Sequence, residues 1–218
     1  MLEGLEHYCQ ELGIDLPPEA GAQMRAYWRL VLAANERMNL TRITGDEEAT
    51  LKHFVDSLTV LLTEVFADGA RVVDVGTGAG FPGVPLKIAR PDLPVTLVDA
   101  TLKRVRFLEE VVEHFDWRDV RVIHARAEQL ARDSGEAGAF DVATARAVAR
   151  LDKLVAWCVP LLRPGGYLVA MKGPDVDEEA VQAQRVLRRT GAEIADIRRL
   201  VLPREAGRRT LVVIRRLG

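Results

Sequence analysis

The sequence predicts a doubly wound α/β domain: a seven-stranded, mostly parallel sheet behind an N-terminal helical extension. Three observations carry this. From Ala70 onward, short β-branched runs alternate with helical stretches, the pattern of a parallel sheet with crossover helices. The first run empties into a glycine-rich loop. The last two runs are separated by a short segment, Pro203–Arg209, which favours antiparallel pairing. A length of 218 residues fits one domain with a modest extension, read as residues 1–68 packed on a core domain at residues 69–218.

The elements follow in order. Pro17 and Pro18 open a helix, where a missing N–H does no harm. Met24, Tyr27, Trp28 and Val31 then form one apolar stripe at helical spacing. The pattern breaks from Asn35 to Thr44. Thr44 and Glu47 have capping-box spacing and start a second helix. Its apolar face is Leu51, Phe54, Val55, Leu58, Leu62 and Val65, and its other face carries His53, Asp56 and Ser57. From spacing alone that second face reads as solvated or capping. Strands are expected at Arg71–Val75, Val95–Val98, Val120–Ile123, Asp141–Thr144 and Tyr167–Met171, the last after a turn at Arg163–Gly166. A helix around Asp177–Arg189 and strands at Ile194–Leu202 and Thr210–Ile214 close the chain.

Composition bounds the class. The chain is 48% hydrophobic and 28% charged, a soluble globular balance. No apolar run approaches the roughly 18 residues that span a bilayer, and the acidic N-terminus has no basic-then-apolar leader. Cys9 and Cys158 lack metal spacing, as do the four histidines, so reduced thiols in the cytoplasm and no metal are expected. Net charge is −2, which argues against binding nucleic acid by bulk charge. Its distribution is uneven, at −7 over residues 1–70 and +7 over residues 185–218, where ten arginines meet three acids. Arginine suits phosphate because its planar fork donates two hydrogen bonds, but a solvated face fits equally well.

The motifs narrow the chemistry. The first strand runs into Asp74-Val75-Gly76-Thr77-Gly78-Ala79-Gly80, then Phe81-Pro82-Gly83. A strand, a glycine-rich loop and a helix make a nucleotide-cofactor geometry. The pattern is GxGxG, with Phe81 where a dinucleotide site has its third glycine. A bulky residue there suits a ligand with no pyrophosphate, such as S-adenosylmethionine. Asp99 ends the second strand, where it can accept both ribose hydroxyls, a placement that serves NAD and S-adenosylmethionine alike. After the third strand, Ala127 and Glu128 can meet an adenine ring and its amino group. Arg146 and Lys172 end the fourth and fifth strands, on the edge where open α/β sheets bind ligands.

These residues together resemble the RsmG (GidB) family of bacterial 16S ribosomal RNA methyltransferases. The resemblance runs through Asn35, Asn39-Leu40-Thr41, His53 with Asp56-Ser57, and Asp74 to Leu86. It continues through Asp99 with Lys103-Arg104, Arg126-Ala127-Glu128, Phe140 to Ala149, Lys172-Gly173, and Arg209 with Leu211 to Ile214. It implies a Rossmann-like class I methyltransferase fold. It also implies transfer of a methyl group from S-adenosylmethionine to N7 of a guanosine in the 530 loop of 16S rRNA. Cofactor contacts are implied at Gly76, Gly78, Gly80, Phe81, Asp99, Ala100, Thr101, Ala127, Glu128 and Arg146. Guanine N7 carries a lone pair and no proton, so no general base is expected. Arg146 and Lys172 would position the guanine or a flanking phosphate, and donation to O6 would offset the developing charge. Expected RNA contacts are Asn39, Thr41, His53, Asp56, Ser57, Arg208 and Arg209, with the acidic N-terminal part facing away from the RNA. The partner is 16S rRNA, the small ribosomal subunit or its assembly intermediate; neither a membrane nor an oligomer is required. Rival readings are a class I methyltransferase with another substrate, an NAD-dependent oxidoreductase, and a non-catalytic RNA-binding assembly factor that keeps a cofactor pocket.

Overall fold

The computed structural model describes residues 1–132 and 135–218. Two helices open the chain, α1 (Leu5–Glu11) and α2 (Ala20–Met38). A composite helix follows: α3 (Asp46–Ala49), a π-helical turn (Thr50–Val55), α4 (Asp56–Leu58) and a 3-10 turn (Thr59–Thr63). The alternating part comprises β1 (Val72–Val75), α5 (Gly83–Ala89), β2 (Val95–Asp99), α6 (Leu102–His114), β3 (Val120–His124), α7 (Ala127–Leu130), β4 (Phe140–Arg146), α8 (Leu151–Cys158) and β5 (Leu162–Lys172). It ends with α9 (Asp177–Thr190), β6 (Ala192–Val201) and β7 (Arg208–Arg216).

The strands form one sheet in the order β3-β2-β1-β4-β5-β7-β6, parallel except for β7, which is antiparallel to both neighbours. The seven-stranded, mostly parallel sheet expected from the sequence is therefore present. Every residue of β1 and β2 is buried, Asp74, Thr96 and Asp99 included, so those strands read as short β-branched runs and show no solvated face. Alternate residues feed opposite layers. Val72, Val142 and Val169 join a core with α1, α2, α5 and α6, while Val73, Ala143 and Ala170 join one with α8 and α9. The chain reverses direction across the sheet at β1, which lies between β2 and β4. That switch point opens a crevice at the carboxyl ends of the strands.

The extension shares the first core, burying Leu2, Leu5, Tyr27, Trp28 and Phe54 with Leu86, Leu97 and Phe107. Its apolar stripe on α2 is as expected, with Met24, Tyr27, Trp28 and Val31 all fully buried. Three local expectations fail. The capping box at Thr44 does not form; Gly45 is the N-cap, and Asp46 instead accepts from Trp28 Nε1 at 3.0 Å. The turn at Arg163–Gly166 lies inside β5 and not before it: pairing with β4 starts at Leu162 opposite Phe140 and resumes at Tyr167 opposite Val142, so the four residues form a bulge with Gly165 at φ +80°. The polar face of His53, Asp56 and Ser57 is not solvated: the three are 8%, 3% and 0% exposed. A π-helical turn spends more residues per revolution, so spacing counted at 3.6 misplaces side chains across it.

One bond joins the extension to the glycine loop. The buried Tyr27 hydroxyl donates to the Ala79 carbonyl. Tyr27→Phe keeps the ring and strands that carbonyl, so unfolding free energy should fall by about 1–3 kcal/mol in urea titration. A change within experimental error would show that the loop is held by ring packing alone.

Candidate active site

The site begins with the loop after β1. Gly76 and Thr77 N–H groups donate to Val98 O at 2.8 and 3.0 Å, and Gly80 and Phe81 N–H groups donate to Thr77 O, both at 2.9 Å. Below the loop lies Asp74, fully buried. Its Oδ2 accepts from Gly83 N–H at 2.9 Å and its Oδ1 from the Thr144 hydroxyl at 2.9 Å. Burial raises the Asp74 pKa, and these donors act in the opposite direction. One carboxylate thus ties β1 to β4 and to the start of α5. Two glycines matter for different reasons. At Gly80 (φ +109°) a Cβ would sit 2.6 Å from the Tyr27 oxygen, so a side chain has no room. At Gly78 (φ +64°) a Cβ would meet nothing within 4 Å, so the backbone faces open space.

Asp99 ends β2 beside this open side. Its Oδ2 accepts from Gly78 N–H at 2.9 Å and its Oδ1 from Thr101 N–H at 2.8 Å. Arg104 Nη1 lies 3.6 Å from the same Oδ2, and a carboxylate offers about four lone-pair positions, so not all of them are taken up by these partners. Ala100 is exposed and Thr101 half-buried. Ala127 and Glu128 open α7, and β3 pairs with β2 through Asp99 and His124. The ends of β1, β2 and β3 therefore present Gly78, Asp99 and Ala127-Glu128 in one row. The open side of Gly78 and the spare lone pairs of Asp99 fit a ribose-bearing cofactor.

On the other side of the loop, at the ends of β1, β4 and β5, lies a cavity of about 470 Å³. Gly76, Gly78, Phe81, Arg146 and Lys172 line it from the core domain, and Arg209 lines it from β7. Leu40, Thr41, Ile43, Lys52, His53 and Asp56 line it from the extension. The expectation that the acidic N-terminal part faces away is thereby overturned for its second half, which builds one wall.

The centre of this wall is a shared carboxylate. Asp56 Oδ1 accepts from Arg209 Nε at 2.9 Å, and Asp56 Oδ2 lies 3.3 Å from Arg146 Nη1. Its side chain is 4% exposed. Arg146 also donates to Lys52 O at 3.0 Å and sits 5.3 Å from the Phe81 ring centre. His53 stacks on Phe81, with ring centres 4.6 Å apart and planes at 15°. Its Nδ1 lies 3.5 Å from Arg146 Nη2 and its Nε2 lies 2.8 Å from Thr41 Oγ1. Burial, with the Arg146 charge beside it, pushes the His53 imidazole down to about 4, against smaller upward pulls from Glu48 and from the Lys52 carbonyl. Lys172 donates to Ala149 O at 2.9 Å and pairs with Glu179 at 2.8 Å.

The structure therefore brings Gly76, Gly78, Phe81, Arg146, Lys172, Thr41, His53, Asp56 and Arg209 to one cavity. It does not bring the others there. Ser57 is fully buried and donates to His53 O at 2.5 Å, so its hydroxyl is spent inside the helix. Asp56 does reach the cavity wall, but its carboxylate is taken up by two arginines and is not free for RNA. Asn39 is exposed at the end of α2, with φ +52°, and Arg208 is exposed at the start of β7. Sequence reasoning missed Lys52, Ile43 and Met171 as lining residues, and Tyr27 as the loop's clamp. Only Tyr27 left a trace, a hydroxyl on an otherwise apolar stripe.

Two outcomes follow from this geometry. Asp56→Ala leaves two cations beside a buried void and should cost about 3–5 kcal/mol of stability in denaturant titration; an unchanged midpoint would mean the triad is solvated. His53 is neutral in the fold, with a pKa near 4 against 6.5 when free. Between those values the unfolded chain binds more protons, so stability declines as pH falls through that window. The loss between pH 7 and pH 4 should be on the order of 2–3 kcal/mol larger than in His53→Gln. Parallel pH profiles for the two proteins would exclude this assignment.

Comparison with known proteins bears on the family and the fold. Residues 20–206 match the family model GidB, described as rRNA small subunit methyltransferase G. A Lactobacillus delbrueckii subsp. bulgaricus protein named ribosomal RNA small subunit methyltransferase G is 45% identical over 201 residues, covering 91% of this chain and 84% of its own. A Pelotomaculum thermopropionicum protein of the same name is 40% identical over 218 residues, covering 100% and 91%. Among solved structures, a Burkholderia thailandensis 1,6-didemethyltoxoflavin-N1-methyltransferase with S-adenosylhomocysteine bound aligns at a TM-score of 0.60 and 17% identity, covering 94% of each chain. A SAM-dependent methyltransferase from Aquifex aeolicus aligns at 0.55 and 19% identity, covering 78% of this chain and 94% of its own. These two matches show the fold, that of Rossmann-like class I methyltransferases. The matched span and the high-identity relatives show the family: this chain belongs to the rRNA small subunit methyltransferase G (GidB) family.

Proposed function

We propose that this protein methylates N7 of a guanosine in the 530 loop of 16S rRNA, with S-adenosylmethionine as donor. The observation that carries the reading is a cavity lined by Gly78 in which two arginines, Arg146 and Arg209, share the one lining carboxylate, Asp56; Lys52 and Lys172 also line it, each paired with a carboxylate behind the wall, Glu48 and Glu179. That balance suits a polyanion at its mouth, although the whole chain has a net charge of −2. An enzyme that reads RNA by bulk charge would look different; here the positive charge is local.

S-adenosylmethionine supplies an activated methyl group on a sulfonium. Gly78 and Asp99 hold its ribose end, and Ala127 and Glu128 meet its adenine. The acceptor atom needs no base, because guanine N7 carries an in-plane lone pair and no proton at neutral pH. The cavity matches that need: its one carboxylate is taken up by arginines, and its imidazole is tied to Thr41. The work of the chain is alignment. Arg146 and Lys172 position the nucleotide, and Arg209 with Lys52 holds flanking phosphate. The target base must be splayed from its stack to enter, as RNA bases in loops allow. No helix among the described residues is long and apolar enough to cross a membrane. A ribosomal RNA substrate supports a cytoplasmic location.

The decisive experiment incubates the protein with labelled S-adenosylmethionine and small subunits lacking the modification, then identifies the labelled nucleoside by mass. Label in 7-methylguanosine at a single site is expected. Arg146→Ala should lower kcat/KM by about a hundredfold or more, as loss of a positioned charge in a water-poor site does. Cofactor binding without label transfer would point to another substrate or to a binding-only role.

A further inference from the structure

We infer that Thr41 is the residue that distinguishes guanine from adenine, by donating its hydroxyl proton to guanine O6 beside the accepting N7. The inference rests on the reading above and assigns a specificity contact within it.

The assignment follows from the direction of three consecutive contacts. A guanidinium has donors and no acceptor. Arg146 Nη2 faces His53 Nδ1 at 3.5 Å, so Nδ1 must present its lone pair. An imidazole that accepts at Nδ1 and is neutral carries its proton at Nε2. Burial and the Arg146 charge keep this ring neutral at physiological pH. Nε2–H therefore donates to Thr41 Oγ1, 2.8 Å away. The Ile43 N–H donates to the same oxygen at 3.1 Å. Both lone pairs of Thr41 Oγ1 are then occupied. Its own proton remains, and among the described residues no hydrogen bond takes it up. Thr41 lines the cavity.

The chain of contacts converts a fixed positive charge into a fixed direction of donation. Thr41 can offer a proton and cannot accept one. Next to N7, guanine presents an acceptor, O6, and adenine presents a donor, its N6 amino group. A hydroxyl locked as a donor pairs with the first and leaves the second facing another donor. Arg146 itself is poorly placed for this contact, since its Nη1 protons already go to Lys52 O and Asp56.

The test compares methyl transfer to 16S rRNA in small subunits carrying either guanosine or 2-aminopurine at the accepting position. 2-Aminopurine keeps N7 and lacks O6. Single-turnover conditions with enzyme in excess let slow substrates be read. Wild-type protein should favour guanosine by about tenfold or more, the value of one buried hydrogen bond. Thr41→Val should lose about tenfold on guanosine and little on 2-aminopurine, so its preference falls toward one. Thr41→Ser should restore the preference, and its melting temperature with that of Thr41→Val monitors folding. A preference unchanged in Thr41→Val, or lost equally on both substrates, would overturn the assignment and place the contact on phosphate or sugar. Absence of transfer to guanosine by the wild type would overturn the methyltransferase reading instead.

Discussion

The carboxylate of Asp56, shared by Arg146 and Arg209, is the constraint on which the rest of the site depends. The three residues come from the composite helix, from the end of β4 and from the start of β7, so their meeting fixes how the extension sits on the sheet. Desolvating three charges is costly, and a well-packed apolar cluster would hold the same elements at least as well. The ionic solution gives something an apolar one cannot. Two cations against one anion leave a net positive charge at the cavity, and Asp56 aims both guanidinium groups while leaving donors on each unused. Stability alone does not account for this arrangement; a substrate-facing surface of set charge does.

A second set of contacts keeps the glycine loop rigid. Asp74 holds it from beneath, Tyr27 from the extension, and Asp99 from the neighbouring strand. All three side chains are buried, and the Tyr27 bond joins elements 52 positions apart. A loop of three glycines would otherwise lose much of its cofactor affinity to the entropy of ordering. Phe81 joins the two sets. It stacks with His53, lies near Arg146 and packs against Tyr27 and Phe54. Its bulk belongs to this cluster more than to the cofactor, since only 4% of it is exposed.

The sheet was legible because buried parallel strands leave a plain trace. Val72–Val75 and Val95–Asp99 are short runs rich in β-branched residues, with Asp74 and Thr96 as their polar interior positions and Asp99 closing the second, and the glycine loop follows the first directly. The residues at the strand ends were legible for the same reason, since Arg146 and Lys172 follow directly from strand boundaries. The extension was less legible. Spacing put His53, Asp56 and Ser57 on one face, but a π-helical turn sends Ser57 inward while His53 and Asp56 meet the cavity. No local pattern announces a π turn, and no single sequence shows that Asp56 pairs with a residue 153 positions away. Charge misled as well. An extension at −7 looks repelled by RNA, yet the acid that matters is neutralised twice over and the cations that matter come from elsewhere.

This division has a functional logic. The strand ends and glycine loop are what a class I fold offers any substrate, and solved structures of that fold at 17–19% identity act on other molecules or on ones their names leave open. Substrate choice must then come from whatever closes the crevice. Here the closing wall is Leu40 to Asp56, held in place by Arg146 and Arg209. His53 sits where wall and fold meet, bonded to Thr41 on one side and facing Arg146 on the other. A neutral ring at that point transmits the polarity of a fixed cation into the wall without adding charge of its own. Protonation would put a second proton on Nδ1, facing Arg146 with like charge, while Nε2–H would go on donating to Thr41; the direction of donation at Thr41 is therefore set by the placement of Arg146 and not by the charge of the ring.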